Sequence, residues 1–117
     1  MDELTIRALY ASVVEDEGTI FIGFAEGEDE TEPYVLIRQE GAGAPIWFEV
    51  ADESLGAEEA VEKVVLGEKG LTFVIAADKI AKIGGAAEVP VQIGPATEDA
   101  DQAIEALRDM FGTRFEG

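Results

Sequence analysis

The sequence contains neither cysteine nor histidine among its 117 residues. Without cysteine, no disulfide framework and no thiolate metal site can form. Without histidine as well, the usual ligands of zinc and the transition metals are missing, and so is the commonest general acid or base near neutral pH. We therefore expect no metal, no cofactor and no catalytic residue of the usual kinds.

Positive charge is also scarce, because eight Lys and Arg residues stand against 26 Asp and Glu residues, for a formal charge of −18. Nucleic acids and anionic membranes are bound largely through Lys and Arg that neutralise phosphates, so neither is an expected partner. The imbalance is concentrated in residues 1–60, which hold two bases against 16 acids, whereas residues 61–117 hold six against ten. The composition favours a positively charged protein as the partner.

Long apolar runs are absent too. The first ten residues, MDELTIRALY, begin with acids and have neither the basic stretch nor the apolar stretch of a secretory signal. No apolar run approaches the ~20 residues that span a bilayer. These features predict a cytoplasmic protein.

Motifs for catalysis are not found. Ser12 and Ser54 have no imidazole to activate them. The glycines of Gly41-Ala42-Gly43 lack the third glycine of a dinucleotide-binding fingerprint and precede a strand rather than a helix. A carboxylate pair could act as acid and base only in a pocket that separates the two pKa values, and the acidic clusters here have the composition of exposed loops. The sequence therefore predicts that the chain is not an enzyme.

What the sequence does contain is the pattern of one α+β domain over residues 1–117, whose apolar fraction of 47% is sufficient for a single core. Period-two alternation between turn residues predicts a sheet of six or seven strands. The candidate strands are 4–11, 19–25, 34–39, 46–50, 61–66, 71–76 and 89–93. Residues 51–59 are predicted to form a loop. Pro90 lacks an N–H group, which favours an edge position for the last of these strands.

The clearest helix is predicted from Thr97, as N-cap, to Phe111, with Gly112 as the stop. Its apolar stripe consists of Ala100, Ala103, Ile104, Leu107, Met110 and Phe111. A stripe this wide is expected to cover one face of the sheet. A short helix over 77–83, ended by Gly84, completes a mostly antiparallel α+β fold.

Two acidic segments are candidate docking sites for a basic protein. Their carboxylates are Glu26, Glu28, Asp29, Glu30 and Glu32 in the first, and Asp52, Glu53, Glu58 and Glu59 in the second. If both emerge on one side of the sheet, their potentials add, and a partner of opposite charge relieves the repulsion. The first segment does not fit a calcium loop, because Thr31 stands where glycine is required. Solvated loop tips, or a general acidic bias as in salt-adapted proteins, are the alternatives.

Two aromatic residues, Phe21 and Trp47, fall on the opposite parity from the more apolar face of their strands. Core packing is the ordinary role of such residues, but aromatics also anchor interfaces. One face of the sheet is expected to be covered by the terminal helix. Core packing under that helix does not account for aromatic side chains on the other face, so another role is expected for them. Phe21 and Trp47 are therefore the candidate apolar anchors.

The order of elements from Tyr34-Val35-Leu36-Ile37-Arg38-Gln39 and Trp47-Phe48-Glu49-Val50 to the closing amphipathic helix resembles the immunity protein 10 family of bacteria, over roughly residues 33–113. Members of that family are encoded beside polymorphic toxins. The resemblance implies a non-enzymatic protein that binds and neutralises a toxin domain, and many such toxins are basic nucleases. The charge argument independently favours a basic partner. A structural or regulatory domain that self-associates, for example as a homodimer, and a salt-adapted domain of unrelated function remain the alternatives.

Overall fold

The part of the chain that the structure describes forms nine strands and one α-helix. The computed structural model describes residues 5–27 and 33–117, and for residues 52 and 53 it describes the backbone alone. The strands are β1 Ile6–Asp16, β2 Thr19–Ala25, β3 Tyr34–Gln39, β4 Ile46–Val50, β5 Asp52–Glu58, β6 Val61–Gly67, β7 Gly70–Ile75, β8 Glu88–Glu98 and β9 Phe115–Glu116. Helix α1 spans Ala100–Phe111, and 3₁₀ segments span Ala77–Ile83 and Gly112–Arg114.

All nine strands belong to one sheet, in the order β5-β4-β3-β2-β1-β8-β7-β6-β9. The pairs β1–β8 and β6–β9 are parallel, and the other neighbours are antiparallel. The mostly antiparallel α+β architecture is confirmed, but the predicted number of strands was too low. The two additional strands are β5, which had been expected to be a loop, and the short β9.

The sheet curls until its two halves meet. Phe48 of β4 and Phe73 of β7, which are five positions apart in the strand order, bring their ring centroids to 5.2 Å. Leu55 of β5 also meets the other half, because a Cβ atom on Gly84, which follows β7 and the first 3₁₀ segment, would lie 3.6 Å from Leu55 Cδ2. One buried cluster runs through both halves. The curled sheet therefore encloses a single core.

Helix α1 packs against β1 and β2 and adds Ala103, Leu107 and Phe111 to that core. Leu107 and Phe111 are buried, as predicted, whereas Ile104 is only half-buried. Gly112 ends the helix with a φ of 56°, a left-handed conformation that glycine adopts readily. The amphipathic stripe thus covers the inner face of the curled sheet.

The predicted helix start was wrong by two residues, since Asp99 and not Thr97 is the N-cap. Strand β8 continues to Glu98, and Asp99 is the residue before the helix. The Thr97 hydroxyl instead accepts a hydrogen bond from the Gly94 N–H group at 3.0 Å and donates to the Ala8 carbonyl at 2.7 Å. Its polar side chain therefore ties β8 to β1 and does not cap the helix.

The predicted edge position of Pro90 was also wrong, because β8 lies between β1 and β7. The first residue of β8 that pairs with β1 is Val91. Pro90 comes one residue before this pairing starts, so its ring nitrogen is not required to donate a hydrogen bond to β1. On the other side, the bonds to the β7 hairpin use neighbouring residues, for example the Ile93 N–H group, which donates to the Lys69 carbonyl. An interior strand accommodates this proline because neither ladder needs its N–H group.

Candidate protein-binding face

Strands β1–β5 present a face that is turned away from the core, which we call the outer face. Residues paired directly across neighbouring strands lie on the same side of a sheet, so the register assigns its members. They form three rows: Val14, Phe21, Arg38, Trp47 and Glu58; Ser12, Gly23, Leu36, Glu49 and Gly56; and Tyr10, Ala25 and Tyr34. Both candidate anchors, Phe21 and Trp47, are in the first row.

The outer face is apolar but only partly covered. Phe21, Leu36 and Trp47 are half-buried, and Val14 is 52% exposed. By contrast, Ile22 and Ile37, which pair with each other on the inner side of β2 and β3, are wholly buried. None of the apolar outer-face residues belongs to the core cluster that helix α1 completes. The described residues therefore leave this side of the sheet without a covering element.

Trp47 is held in place on three sides. Its indole Nε1 donates to Glu49 Oε1 at 2.7 Å, and the Arg38 guanidinium lies 5.3 Å from its ring centroid. Beneath the ring lies Gly56, where a Cβ atom would come within 2.6 Å of Trp47 Cζ2. A rigid aromatic side chain loses little conformational entropy when a partner docks, so Trp47 has the properties of an interface anchor.

Glu49 is the only buried charged residue among those that the structure describes, with 7% of its surface exposed. Both carboxylate oxygens accept hydrogen bonds on the outer face, Oε1 from Trp47 Nε1 and Oε2 from the Tyr34 hydroxyl. Hydrogen bonds to an ionised acceptor are stronger than neutral ones. Glu49 thereby fixes one tryptophan and one tyrosine of the face at once.

Exposed carboxylates line one end of these strands. Because neighbouring strands are antiparallel, β1, β3 and β5 all finish at the same end, which we call the hairpin end. Its acidic residues, all exposed, are Glu15, Asp16, Glu17, Glu40, Glu58 and Glu59. The tight turn at Glu17-Gly18, with φ of 51° and 88°, brings three of them together where β1 and β2 meet.

The opposite end of these strands, which we call the loop end, carries other predicted docking residues among those that the structure describes. Glu26 follows β2, and Asp52 begins β5 at this end, while Glu28, Asp29, Glu30 and Glu32 lie outside the described residues. The stretch 52–59 is therefore not one acidic loop. Because β5 is extended, Asp52 and Glu58 are separated by roughly 20 Å. Glu53 belongs with Asp52 in the first half of β5, whereas Glu58 and Glu59 belong to the hairpin end.

Two of the predicted carboxylates also have local structural roles. Glu26 Oε2 accepts the Arg7 backbone N–H group at 2.8 Å, and Glu59 Oε2 accepts the Ile46 N–H group at 2.7 Å. Each acid thus satisfies a backbone donor at the start of a strand. Arg7 and Arg38 are the only bases in residues 1–60, and Arg38 stacks on Trp47. The negative charge of this half of the chain is therefore largely uncompensated.

No protein-family model matches this chain, and no curated protein or solved structure matches it. The chemistry of the face has to be judged from its own residues.

Residues 5–27 and 33–117 give no support to two other kinds of site. This part of the chain has no group of three or more acidic residues placed to hold a metal ion. None of its helices has the length and hydropathy required to cross a membrane. The outer face with its acidic ends is the site that these residues support best.

Sequence patterns identified part of this face. The parity of Phe21 and Trp47 placed them correctly, but the roles of Arg38, Glu49 and Gly56 were missed, because these depend on pairing between β3, β4 and β5. The hairpin end was missed as well, since Glu15, Glu40 and Glu58 are far apart in sequence. Only the strand order brings them together.

Proposed function

We propose that this chain is a non-enzymatic binding protein that docks a positively charged protein on its outer face. The observation that carries the proposal is a partly exposed apolar face, on which Glu49 and Arg38 hold Trp47, beside a hairpin end rich in exposed carboxylates. Interfaces commonly combine an apolar centre with a charged rim. The charge of the rim indicates a partner of opposite sign.

The carboxylates and the aromatics would act at different stages of binding. Charge complementarity steers diffusional encounter and raises association rates well above about 10⁶ M⁻¹s⁻¹. Buried aromatic anchors mainly determine how long the complex lasts. A partner with a basic surface around a small apolar patch satisfies both requirements.

We further propose that the partner is a toxin domain, which the chain neutralises as an immunity protein does. Basic nuclease surfaces are built to hold phosphates, and carboxylates such as those of the hairpin end can occupy the same positions. The support for this step is the charge of residues 1–60 together with the similarity in element order given above.

Two other functions receive less support from the structure. Self-association through the outer face would bring together two copies that each carry −18 charges, and this repulsion opposes a homodimer. A salt-adapted domain is expected to carry acids over its whole surface, whereas residues 61–117 have a formal charge of only −4. A basic partner accounts for both the apolar face and the uneven charge.

Binding is tested with two matched charge variants. One replaces four hairpin-end acids with amides, as Glu15→Gln, Asp16→Asn, Glu17→Gln and Glu40→Gln. The control replaces four exposed acids of the other half, as Glu62→Gln, Glu88→Gln, Glu105→Gln and Asp109→Asn. We expect a basic protein from the native host to be retained by the unaltered chain and by the control, and to be lost by the hairpin-end variant. Equal retention by both variants would exclude the acidic docking face.

A separate experiment tests the proposal that the partner is a toxin domain. Any basic protein encoded beside this gene is expressed in a bacterial host, with and without the chain. Growth arrest that the chain relieves, and that its hairpin-end variant relieves less well, is the expected result. If the neighbouring protein is harmless, or the chain does not relieve the arrest, this partner is not a toxin that the chain neutralises.

A further inference from the structure

A glycine stands in the middle of the outer face without a structural requirement for it. Gly23 is the fifth of the seven residues of β2, where it pairs with Ser12 of β1 and Leu36 of β3. Its φ is not in the left-handed region, and its pairing with both neighbours is regular. A Cβ atom there would lie 3.2 Å from the Ser12 hydroxyl oxygen, a movable group, and 3.9 Å from the Val35 carbonyl oxygen. The backbone would therefore tolerate a side chain.

Glycine in the interior of a strand weakens it, and often marks a place where another group approaches the backbone closely. The other glycine of the outer face illustrates the rule, because Gly56 leaves room for the ring of Trp47. Above Gly23 the described residues bring a single side-chain atom, the Ser12 hydroxyl oxygen, within 4 Å of that place. The space is instead a groove.

The groove over Gly23 has a volume of about 170 Å³ and lies between strands β1, β2 and β3. Gly23 and Ala25 form its floor, and Tyr10, Ser12, Tyr34 and Leu36 line its sides. Nearly all of the lining surface is apolar. A dry apolar cavity of about 150 Å³ is large enough to bind benzene, so the groove fits one phenyl-sized group.

One wall of the groove is fixed before any ligand arrives. The Tyr34 hydroxyl donates to Glu49 Oε2, and the second oxygen of the same carboxylate holds Trp47. Glu49 is thus a positioning residue that connects the groove to the tryptophan anchor. Preorganisation of this kind favours a specific side chain over loose hydrophobic contact.

We infer that the groove over Gly23 receives one apolar side chain of phenyl or branched aliphatic size, which the basic partner presents among Lys or Arg residues. This inference rests on the proposed function. The lining accounts for the apolar side chain, and the exposed carboxylates at the hairpin end of the same strands, together with Glu26 at the loop end, account for the cations beside it. A second copy of this chain fits less well, because it would bring its own −18 charges to the face.

The test uses defined peptides. The probe is Lys-Lys-Phe-Lys-Lys with both ends blocked, and the control peptide has Ala in place of Phe. Backbone amide signals of the ¹⁵N-labelled chain are followed by NMR during each titration. We expect the Phe peptide to shift the signals of Ser12, Gly23 and Leu36, and the Ala peptide to shift only signals near the acidic ends.

Filling the groove should abolish the tighter binding of the Phe peptide and the shifts that it causes in the groove signals. Gly23→Val places a side chain in the groove, and Ala25→Val fills it from a neighbouring position should the first variant fail to fold. Gly94→Val is the matched control, since Gly94 is a strand glycine with open space around it, away from this groove. We expect the filled variants to bind the Phe peptide at least about tenfold more weakly, because burying a phenyl group is worth more than one decade of affinity. The control should bind normally.

The outcomes separate this inference from the proposed function. If Gly23→Val and Ala25→Val leave Phe-peptide binding unchanged, or if both peptides shift the same signals, the groove is not the receptor, even when the acidic ends still bind the partner. Groove signals that move with protein concentration alone would assign it to a second copy and overturn the inference. If the hairpin-end variant retains the partner as well as its control does, the proposed function fails independently of the groove.

Discussion

Trp47 and Glu49, two residues apart on strand β4, are joined by a hydrogen bond of 2.7 Å from the indole Nε1 to a carboxylate oxygen. Because alternate residues of a strand face the same side, the bond lies on the outer face. The same carboxylate accepts the Tyr34 hydroxyl. A buried acid thus organises the aromatic part of a surface that the core does not cover.

Removing this acid should reduce stability. Glu49→Ala takes away both hydrogen bonds and leaves two donors without their acceptor, so the free energy of unfolding is expected to fall by about 1–3 kcal/mol. Chemical denaturation followed by circular dichroism measures the change. Glu58→Ala, on the neighbouring strand and exposed, is the control and should change the value by less than about 0.5 kcal/mol. Equal effects of the two substitutions would contradict the role of Glu49.

The two faces of the sheet should respond differently to the loss of a phenyl ring. Phe48 is wholly buried against Phe73, and Phe48→Ala is expected to lower the free energy of unfolding by about 3–5 kcal/mol. Phe21 is half-buried on the outer face, and Phe21→Ala should lower it by about 1 kcal/mol. The same denaturation experiment compares them. A large loss for Phe21 would mean that the outer face is part of the core.

Thr97 is expected to stabilise the contact between β8 and β1. Thr97→Val removes the hydroxyl that bonds to Ala8 and Gly94, and should lower the free energy of unfolding by about 1–2 kcal/mol. Thr97→Ser keeps the hydroxyl and should retain most of the stability. The helical circular dichroism signal should be the same in both, since α1 begins after Asp99. A selective loss of helix in the valine variant would restore the capping interpretation.

Salt should stabilise the folded chain. The −18 charges repel one another in the compact state, and added salt screens this repulsion because the Debye length falls to about 10 Å at 0.1 M. The midpoint of urea denaturation is therefore expected to rise between low salt and about 0.5 M NaCl. The hairpin-end variant should show a smaller rise than its control from the other half. A midpoint that does not move in the unaltered chain would mean that the carboxylates are too dispersed to matter.

Charge and anchor substitutions should affect different rate constants of complex formation. With a cognate partner, the amide substitutions at the hairpin end are expected to lower the association rate and flatten its dependence on salt. Trp47→Ala should mainly raise the dissociation rate, by tenfold or more if it removes about 1.4 kcal/mol or more of binding free energy. Surface plasmon resonance over a salt series measures both rates. Unchanged association kinetics in the charge variant would argue against steering by these acids.

The sequence was a good guide where local signals were sufficient. Strands β3 and β4 were predicted at their observed bounds, since each is a short, largely apolar run between turn residues. The turn at Glu17-Gly18 and the stop at Gly84 also follow from local chemistry, because each needs a residue with positive φ.

Prediction from the sequence failed where the structure of a segment depends on pairing with a strand that is distant in sequence. Residues 52–58 have acids, a serine and a glycine, which disfavour a strand, yet they pair with β4, and Gly56 makes room for Trp47. The edge position of Pro90 and the capping role of Thr97 were wrongly predicted for the same reason, since both depend on the neighbouring strand β1. The groove over Gly23 could not be predicted at all, because it is formed by three strands and by the absence of a side chain.

Trp47 is the only tryptophan of the chain, and it lies on the outer face rather than in the core. Its indole is half-exposed in the free protein, so a docked partner would remove water from it. The emission of this one residue should then move to shorter wavelength on complex formation while the core remains unchanged. The fold therefore carries a built-in optical reporter for its own proposed interface, and binding can be followed without attaching a dye.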